Sequence, residues 1–97
     1  MYYKLYKTKT KTTDVSYDAS FSEFNKIYQK HDAQVLGGGA NVEDRREMYL
    51  MTLYKNKLHY EETVNKLRDD PKYMELSKKL EEGRESIEVI TLESDEH

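Results

Sequence analysis

Three groups of residues in this chain have chemistry to offer at a usable spacing: histidines beside carboxylates, a run of glycines, and lysines interleaved with tyrosines. His59 and Glu62 stand at i and i+3, which on a helix puts both on one face and within reach of one metal ion. Lys55 and Lys66 fall beside them, and a neighbouring cation discourages a metal. Two ligands also fall short of the four that a closed site needs. The pair is therefore read as a solvated face, and neither a metal nor a cofactor is expected. His31 precedes Asp32 at the end of a helical stretch, where an imidazole interacts well with terminal carbonyls, and His97 lies in an acidic tail. No Ser/His/Asp order and no carboxylate pair can be assigned, so no catalytic residue is named and the chain is expected not to be an enzyme.

Gly37, Gly38 and Gly39 stand ahead of a helix-like stretch and invite comparison with phosphate-binding loops. The Lys-Ser/Thr of a P-loop and the spaced glycines of a dinucleotide site are both missing. Glu43 and Asp44 would repel a phosphate. The glycines are read as a mobile loop or hinge.

The third group is Tyr2, Tyr3, Lys4, Tyr6, Lys7, Lys9 and Lys11, with no acidic residue before Asp14. Lysines can hold phosphates while tyrosines stack bases, so this run is the one plausible nucleic-acid surface. Arginine, the better residue for bidentate phosphate and base contacts, is absent from it. The alternative is a strand whose lysine row protects an exposed edge.

These residues need elements to hold them. The chain has 97 residues, 36% hydrophobic and 36% charged, enough for a single domain with a thin core. Nine tyrosines and no tryptophan supply most of the aromatic volume, so many rings should sit half-buried with wet hydroxyls. With no cysteine, disulfides and thiolate chemistry are ruled out, which fits a reducing compartment. No apolar run reaches membrane-spanning length and no leader-like segment opens the chain, so a cytoplasmic protein is expected. Net charge is −3, but residues 1–30 carry +3 and the remainder −6, ending in an acidic tail over 93–97 expected to be disordered.

Residues 2–6 alternate and contain β-formers, which predicts a strand; beyond it, Lys7, Lys9 and Lys11 should face one way and the threonines the other. Ser20 and Glu23 have capping-box spacing, predicting a helix over 21–31 with Phe24, Ile27 and Tyr28 on its apolar face. Asp70 and Pro71 open a further helix with Tyr73, Leu76 and Leu80 inward, closed by Gly83. Residues 86–92 read as a strand apolar on both faces, whose natural partner is the N-terminal strand. A third strand should come from 15–17, from 34–36, or from a second subunit.

Between these lies the stretch expected to organise the rest. Leu50, Leu53, Lys57, Tyr60, Val64 and Leu67 recur at steps of three and four, with Met51, Tyr54 and Leu58 as a second stripe. This predicts one long helix over about 42–68, capped by Asn41. A rival reading turns the chain at Lys55-Asn56, but that turn lacks the glycine that tight hairpins favour. The expected fold is thus α+β: N- and C-terminal strands paired in a small antiparallel sheet, packed against three helices with the middle one long.

A helix apolar over two directions leaves Met48, Met51, Tyr54 and Leu58 as a patch for another protein or a second copy of the chain. In size, in Lys, Glu and Tyr richness and in lack of catalytic residues, the chain resembles small accessory proteins of phages and other mobile elements. That resemblance implies a non-enzymatic inhibitor that occupies a host protein's surface in the host cytoplasm. Nucleic-acid binding through the Lys/Tyr strand is the alternative.

Overall fold

The structure is a computed structural model and describes residues 1–11 and 17–94, the side chains of 17–21 excepted. Its elements are β1 (Tyr2–Thr10), α1 (Tyr17–Lys30), β2 (Gln34–Ala40), β3 (Glu47–Tyr54), α2 (Lys57–Arg68), α3 (Pro71–Gly83) and β4 (Arg84–Glu93). The four strands form one sheet in the order β2-β3-β1-β4, every neighbouring pair antiparallel. β1-α1-β2 and β3-α2-α3-β4 are therefore two split β-α-β units, interleaved as in a ferredoxin-like fold. The expected α+β class and the pairing of the first and last strands are present, and the described residues hold three helices, although the middle one is short.

Pleating decides which residues meet the helices. Tyr2, Lys4, Tyr6 and Thr8 of β1 lie opposite Tyr54, Thr52, Leu50 and Met48 of β3, and this set faces the helix layer. Phe24, Ile27 and Tyr28 of α1, Leu67 of α2 and Leu76 of α3 close over it to make the core with Tyr2 and Tyr54. The alternate set, Tyr3, Leu5, Lys7 and Lys9 against Leu53, Met51, Tyr49 and Glu47, lies on the face without helices. Lys7 and Lys9 do face away from Thr8, whereas Lys4 shares the helix side with it. The strand is internal, however, so its lysines do not guard an edge; Lys7 pairs with Glu47 at 3.7 Å and Lys9 with Asp44 at 3.9 Å.

The long helix over 42–68 is not formed. Residues 47–54 are a strand, and only 57–68 are helical. A strand with apolar side chains on both faces produces the wide apolar arc that mimics a helix covered from two directions. At Lys55-Asn56 the chain goes from strand to helix, so no hairpin glycine is needed. Asn56 caps α2, its Oδ1 accepting from the His59 N–H at 2.8 Å. Asn41 and Asp44, expected at a helix start, instead hold the β2–β3 connection: Asn41 Oδ1 accepts from Glu43 N–H at 2.9 Å and Asp44 Oδ1 from Arg46 N–H at 3.1 Å. Short polar side chains favour helix caps and turns for the same reason, so the pattern alone does not separate them.

The glycines are not a hinge. Gly37, Gly38 and Gly39 pair with Met51, Leu50 and Tyr49 as the middle of β2, past a bulge that leaves Leu36 unpaired. A methyl group added at Gly37 or Gly39 would meet nothing within 4 Å. Elsewhere the expected boundaries hold more closely. α1 begins at Tyr17, which places Ser20 inside the helix instead of at its cap. Asp70 and Pro71 open α3 and Gly83 closes it. The expected strand at 15–17 falls largely outside the described residues, as do 95–97 of the acidic tail, whose Glu93 ends β4.

Candidate functional site between sheet and helices

The helix-facing side of the sheet carries an unusual density of phenols. Tyr6 of β1, Tyr28 of α1 and Tyr73 of α3 converge, and the rings of Tyr28 and Tyr73 meet edge-on at 6.2 Å, with Phe24 edge-on to Tyr73 at 6.0 Å. Tyr2, Tyr54 and Tyr60 form a second group, with Tyr54 and Tyr60 at 5.1 Å and Tyr2 and Tyr60 at 5.5 Å. Edge-to-face contacts of this kind suit the ring quadrupole.

Two cavities flank this cluster and share Tyr6, Tyr28, Tyr73 and Ser77 as walls. The first, about 130 Å³, is completed by Phe24, Leu50, Leu80 and Ile87, with Thr8 and Arg84 among its polar lining. That volume is close to the ~150 Å³ void that accommodates one benzene ring. The second, about 350 Å³, lies toward Tyr54, Tyr60, Val64, Leu67, Arg68 and Met74.

Burial sets the chemistry of the phenols. It pushes the Tyr6 and Tyr28 hydroxyls well above the ordinary tyrosine range, assisted by hydrogen bonds with Tyr60 and Tyr73 respectively. Tyr54 is pushed up to about 12 by the same loss of water. These groups stay protonated at any physiological pH. They can donate hydrogen bonds but are poor bases.

A separate polar cluster ties the helices together. Asp70, buried between α2 and α3, accepts from the Lys72 and Tyr73 N–H groups at 3.0 and 3.4 Å. Its other oxygen meets His31 Nε2 at 3.0 Å and Lys30 Nζ at 3.5 Å. The His31 hydrogen bond is the largest of the effects that hold this carboxyl down to about 2, with the Tyr73 and Lys72 amides and Lys30 adding to it. His31 thus joins the end of α1 to the start of α3. His59 lies on α2, and its Nδ1 accepts from Lys55 N–H at 3.0 Å.

The four residues expected to form a partner patch are dispersed by the strand. Met48 and Tyr54 are buried under the helices, Tyr54 at 2% exposure; Met51 is on the opposite face, and Leu58, at 62%, is on α2. The Lys/Tyr run is likewise divided. Tyr2 is buried and Tyr6 lines the cavities, while Lys4 lies over the Tyr60 ring at 4.5 Å and meets Thr91 Oγ1 at 2.6 Å. Tyr3, Lys7 and Lys9 face the other way, and Lys11 follows the strand, exposed. The cavity was missed because its walls come from β1, α1, β3, α3 and β4, and the i,i+3 and i,i+4 spacing of Tyr73, Leu76 and Leu80 reads as ordinary core. The tyrosine count was the one visible signal.

No protein-family model matches the chain, and no curated protein matches it in sequence. Solved structures do match its fold. Atu4242 of Agrobacterium tumefaciens, described as a NIPSNAP family protein with unknown function, superimposes with a TM-score of 0.82 at 17% identity, over 96% of this chain and 92% of that one. A Nitrosomonas europaea protein assigned to the antibiotic biosynthesis monooxygenases gives 0.76 at 12%, over 99% and 100%. A variant of SnoaB, a cofactor-independent oxygenase of Streptomyces nogalater, gives 0.72 at 5%, over 99% and 94%. At these identities the likeness establishes the fold. It corrects the expectation of a non-enzymatic, phage-type inhibitor: the neighbours are NIPSNAP and monooxygenase-like proteins, in which the fold's role is enzymatic or unknown. The nucleic-acid alternative is set aside with it. Among the described residues no helix is long and apolar enough to cross a membrane.

Proposed function

We propose that the chain is an enzyme that oxygenates a small hydroxyl-bearing ring held in the cavity between sheet and helices. The observation that carries this reading is the cavity itself, about 130 Å³ and walled by the phenols of Tyr6, Tyr28 and Tyr73. It has the size of one ring, apolar walls for the ring's faces, and hydroxyl donors that burial keeps protonated. Support for the reaction class comes from SnoaB and the Nitrosomonas protein, which share the fold and are described as an oxygenase and a monooxygenase.

The walls offer no side chain that titrates near neutrality, so the substrate must be acidic enough to react as its own phenolate or enolate. Tyrosine hydroxyls would then stabilise the oxyanion by donating to it, in a site where water is scarce. The overall change balances without an added reductant: a phenol and dioxygen give a quinone and water. One oxygen atom enters the ring, the other leaves as water, and the ring supplies all four electrons. The cysteine-free composition suits a reducing compartment such as the cytoplasm.

The test is oxygen uptake under isotopically labelled dioxygen with 1,3,5-trihydroxybenzene as probe, a ring that gives up a proton more readily than simple phenol. One labelled atom should appear in the ring product and one in water. Tyr73→Phe should slow turnover on the order of 100-fold, the usual cost of one oxyanion donor. Uptake no faster than in the protein-free control would refute the reading.

A second copy of the chain is the partner that the helix-free face favours. Leu5, Met51, Leu53, Ile90 and Leu92 lie there, and β4 is exposed along nearly all its length, Leu92 at 45%. Strands of about nine residues, four abreast, offer roughly 20 by 30 Å, ~600 Å² in projection. That approaches the ~800 Å² per partner of a standard interface. Lys7 and Lys9 alongside Glu47 and Glu88 make the face complementary to itself.

A further inference from the structure

The cavity contains one charge that its apolar walls do not explain. Arg84 is half-buried and lines the same cavity as the phenols, and no carboxylate among the described residues pairs with it. Its position results from a break in the ladder. Ser86 pairs with Lys9 but Arg84 pairs with Thr10, so Glu85 is an extra residue in β4. Without that bulge, the alternation that puts Ile87 on the helix side would turn position 84 to the opposite face. Bulges commonly re-aim a side chain beside a functional site, and here the effect is to direct a guanidinium over the ring-sized space. The hydroxyls of Thr8 and Ser77 line the same cavity.

We infer that the ligand of this cavity is a monocyclic aromatic carboxylate, its carboxylate received by Arg84 and its ring by the apolar walls. A guanidinium fork matches the two oxygens of a carboxylate, and an anion entering the cavity would supply the partner that Arg84 lacks among the described carboxylates. The cavity of about 130 Å³ is matched in size by a single ring. The inference rests on the reading of the cavity as a ring-binding site and adds the charge that the ring carries.

The test is calorimetric binding of 4-hydroxybenzoate and 4-methylphenol, which differ in carrying a carboxylate or a methyl group on the same phenol. The native chain should bind 4-hydroxybenzoate about tenfold or more tightly than 4-methylphenol, the scale of a charged hydrogen bond. Arg84→Gln should remove that preference; Arg84→Lys should keep part of it. A comparison that needs no variant uses the neutral 4-hydroxybenzamide, which should bind the native chain as weakly as 4-methylphenol. Equal affinity for acid and amide, or a preference that survives Arg84→Gln, or one that is lost instead with Arg68→Gln, overturns the inference. Binding of 4-methylphenol alone would overturn it while leaving the oxygenase reading intact. Binding of neither compound would defeat both.

Discussion

Asp70 does two jobs with one side chain, capping α3 with one oxygen and receiving His31 and Lys30 with the other. Its carboxyl is held at about 2, below the ordinary 3.8, so the stability it contributes is complete above pH ~4 and is lost as pH falls toward 2. Asp70→Asn should flatten the acid limb of a melting-temperature profile in that window. Asp70→Ala, which also loses the cap, should lower the melting temperature by on the order of 5 °C near neutrality. Tyrosines act at the other end of the scale. Tyr54 is raised to about 12 from 10, and Tyr6 and Tyr28 are also raised, so folding favours their protonated forms. Stability from this source is complete below pH ~10 and declines as pH rises beyond it. An alkaline absorbance titration should therefore show a buried group of tyrosines ionising late, together with loss of the fold. Simultaneous titration of all nine near pH 10 would contradict the burial described here.

At the scale of elements, what could be read from the sequence followed from the strength of the local punctuation. Asp70-Pro71 and Gly83 mark α3 because a cap, a fixed φ and a helix stop act within a few residues. β4 was legible because Ile87, Val89, Ile90 and Leu92 make a short, largely β-branched apolar run between Gly83 and the acidic tail. β3 was not. Met48 to Tyr54 is apolar at almost every position, and such a run satisfies steps of two, three and four together. Pairing with β1 and β2 decides its conformation, and that pairing is long-range. β2 was hidden for the opposite reason: its three glycines carry no side-chain pattern at all, and the ladder to β3 holds them extended. The break between β3 and α2 rests on Asn56. Asn56→Ala removes the acceptor for His59 N–H and should cost about 1 kcal/mol of folding stability, measured by chemical denaturation. An unchanged midpoint would mean that the strand-to-helix transition is held elsewhere.

Over the whole molecule, the helices cover one face of the sheet and leave the other to solvent. The site between sheet and helices could not be assembled from the sequence, because Tyr6, Tyr28, Tyr73 and Arg84 approach one another only after the two β-α-β units interleave. The open face predicts association. Light scattering should give the mass of a dimer, and Leu5→Glu with Met51→Glu should give a monomer whose circular dichroism is unchanged. A native chain that is monomeric at tens of micromolar would contradict that arrangement and leave the cavity untouched. The central claim, that the space under the helices takes a ring, is tested most directly by following amide chemical shifts of isotope-labelled protein as 4-methylphenol is added. Saturable shifts at Tyr6, Phe24, Tyr28, Tyr73 and Leu80 are predicted. Shifts confined to Leu5, Met51 and Ile90 on the open face, or shifts that never saturate, would contradict the account.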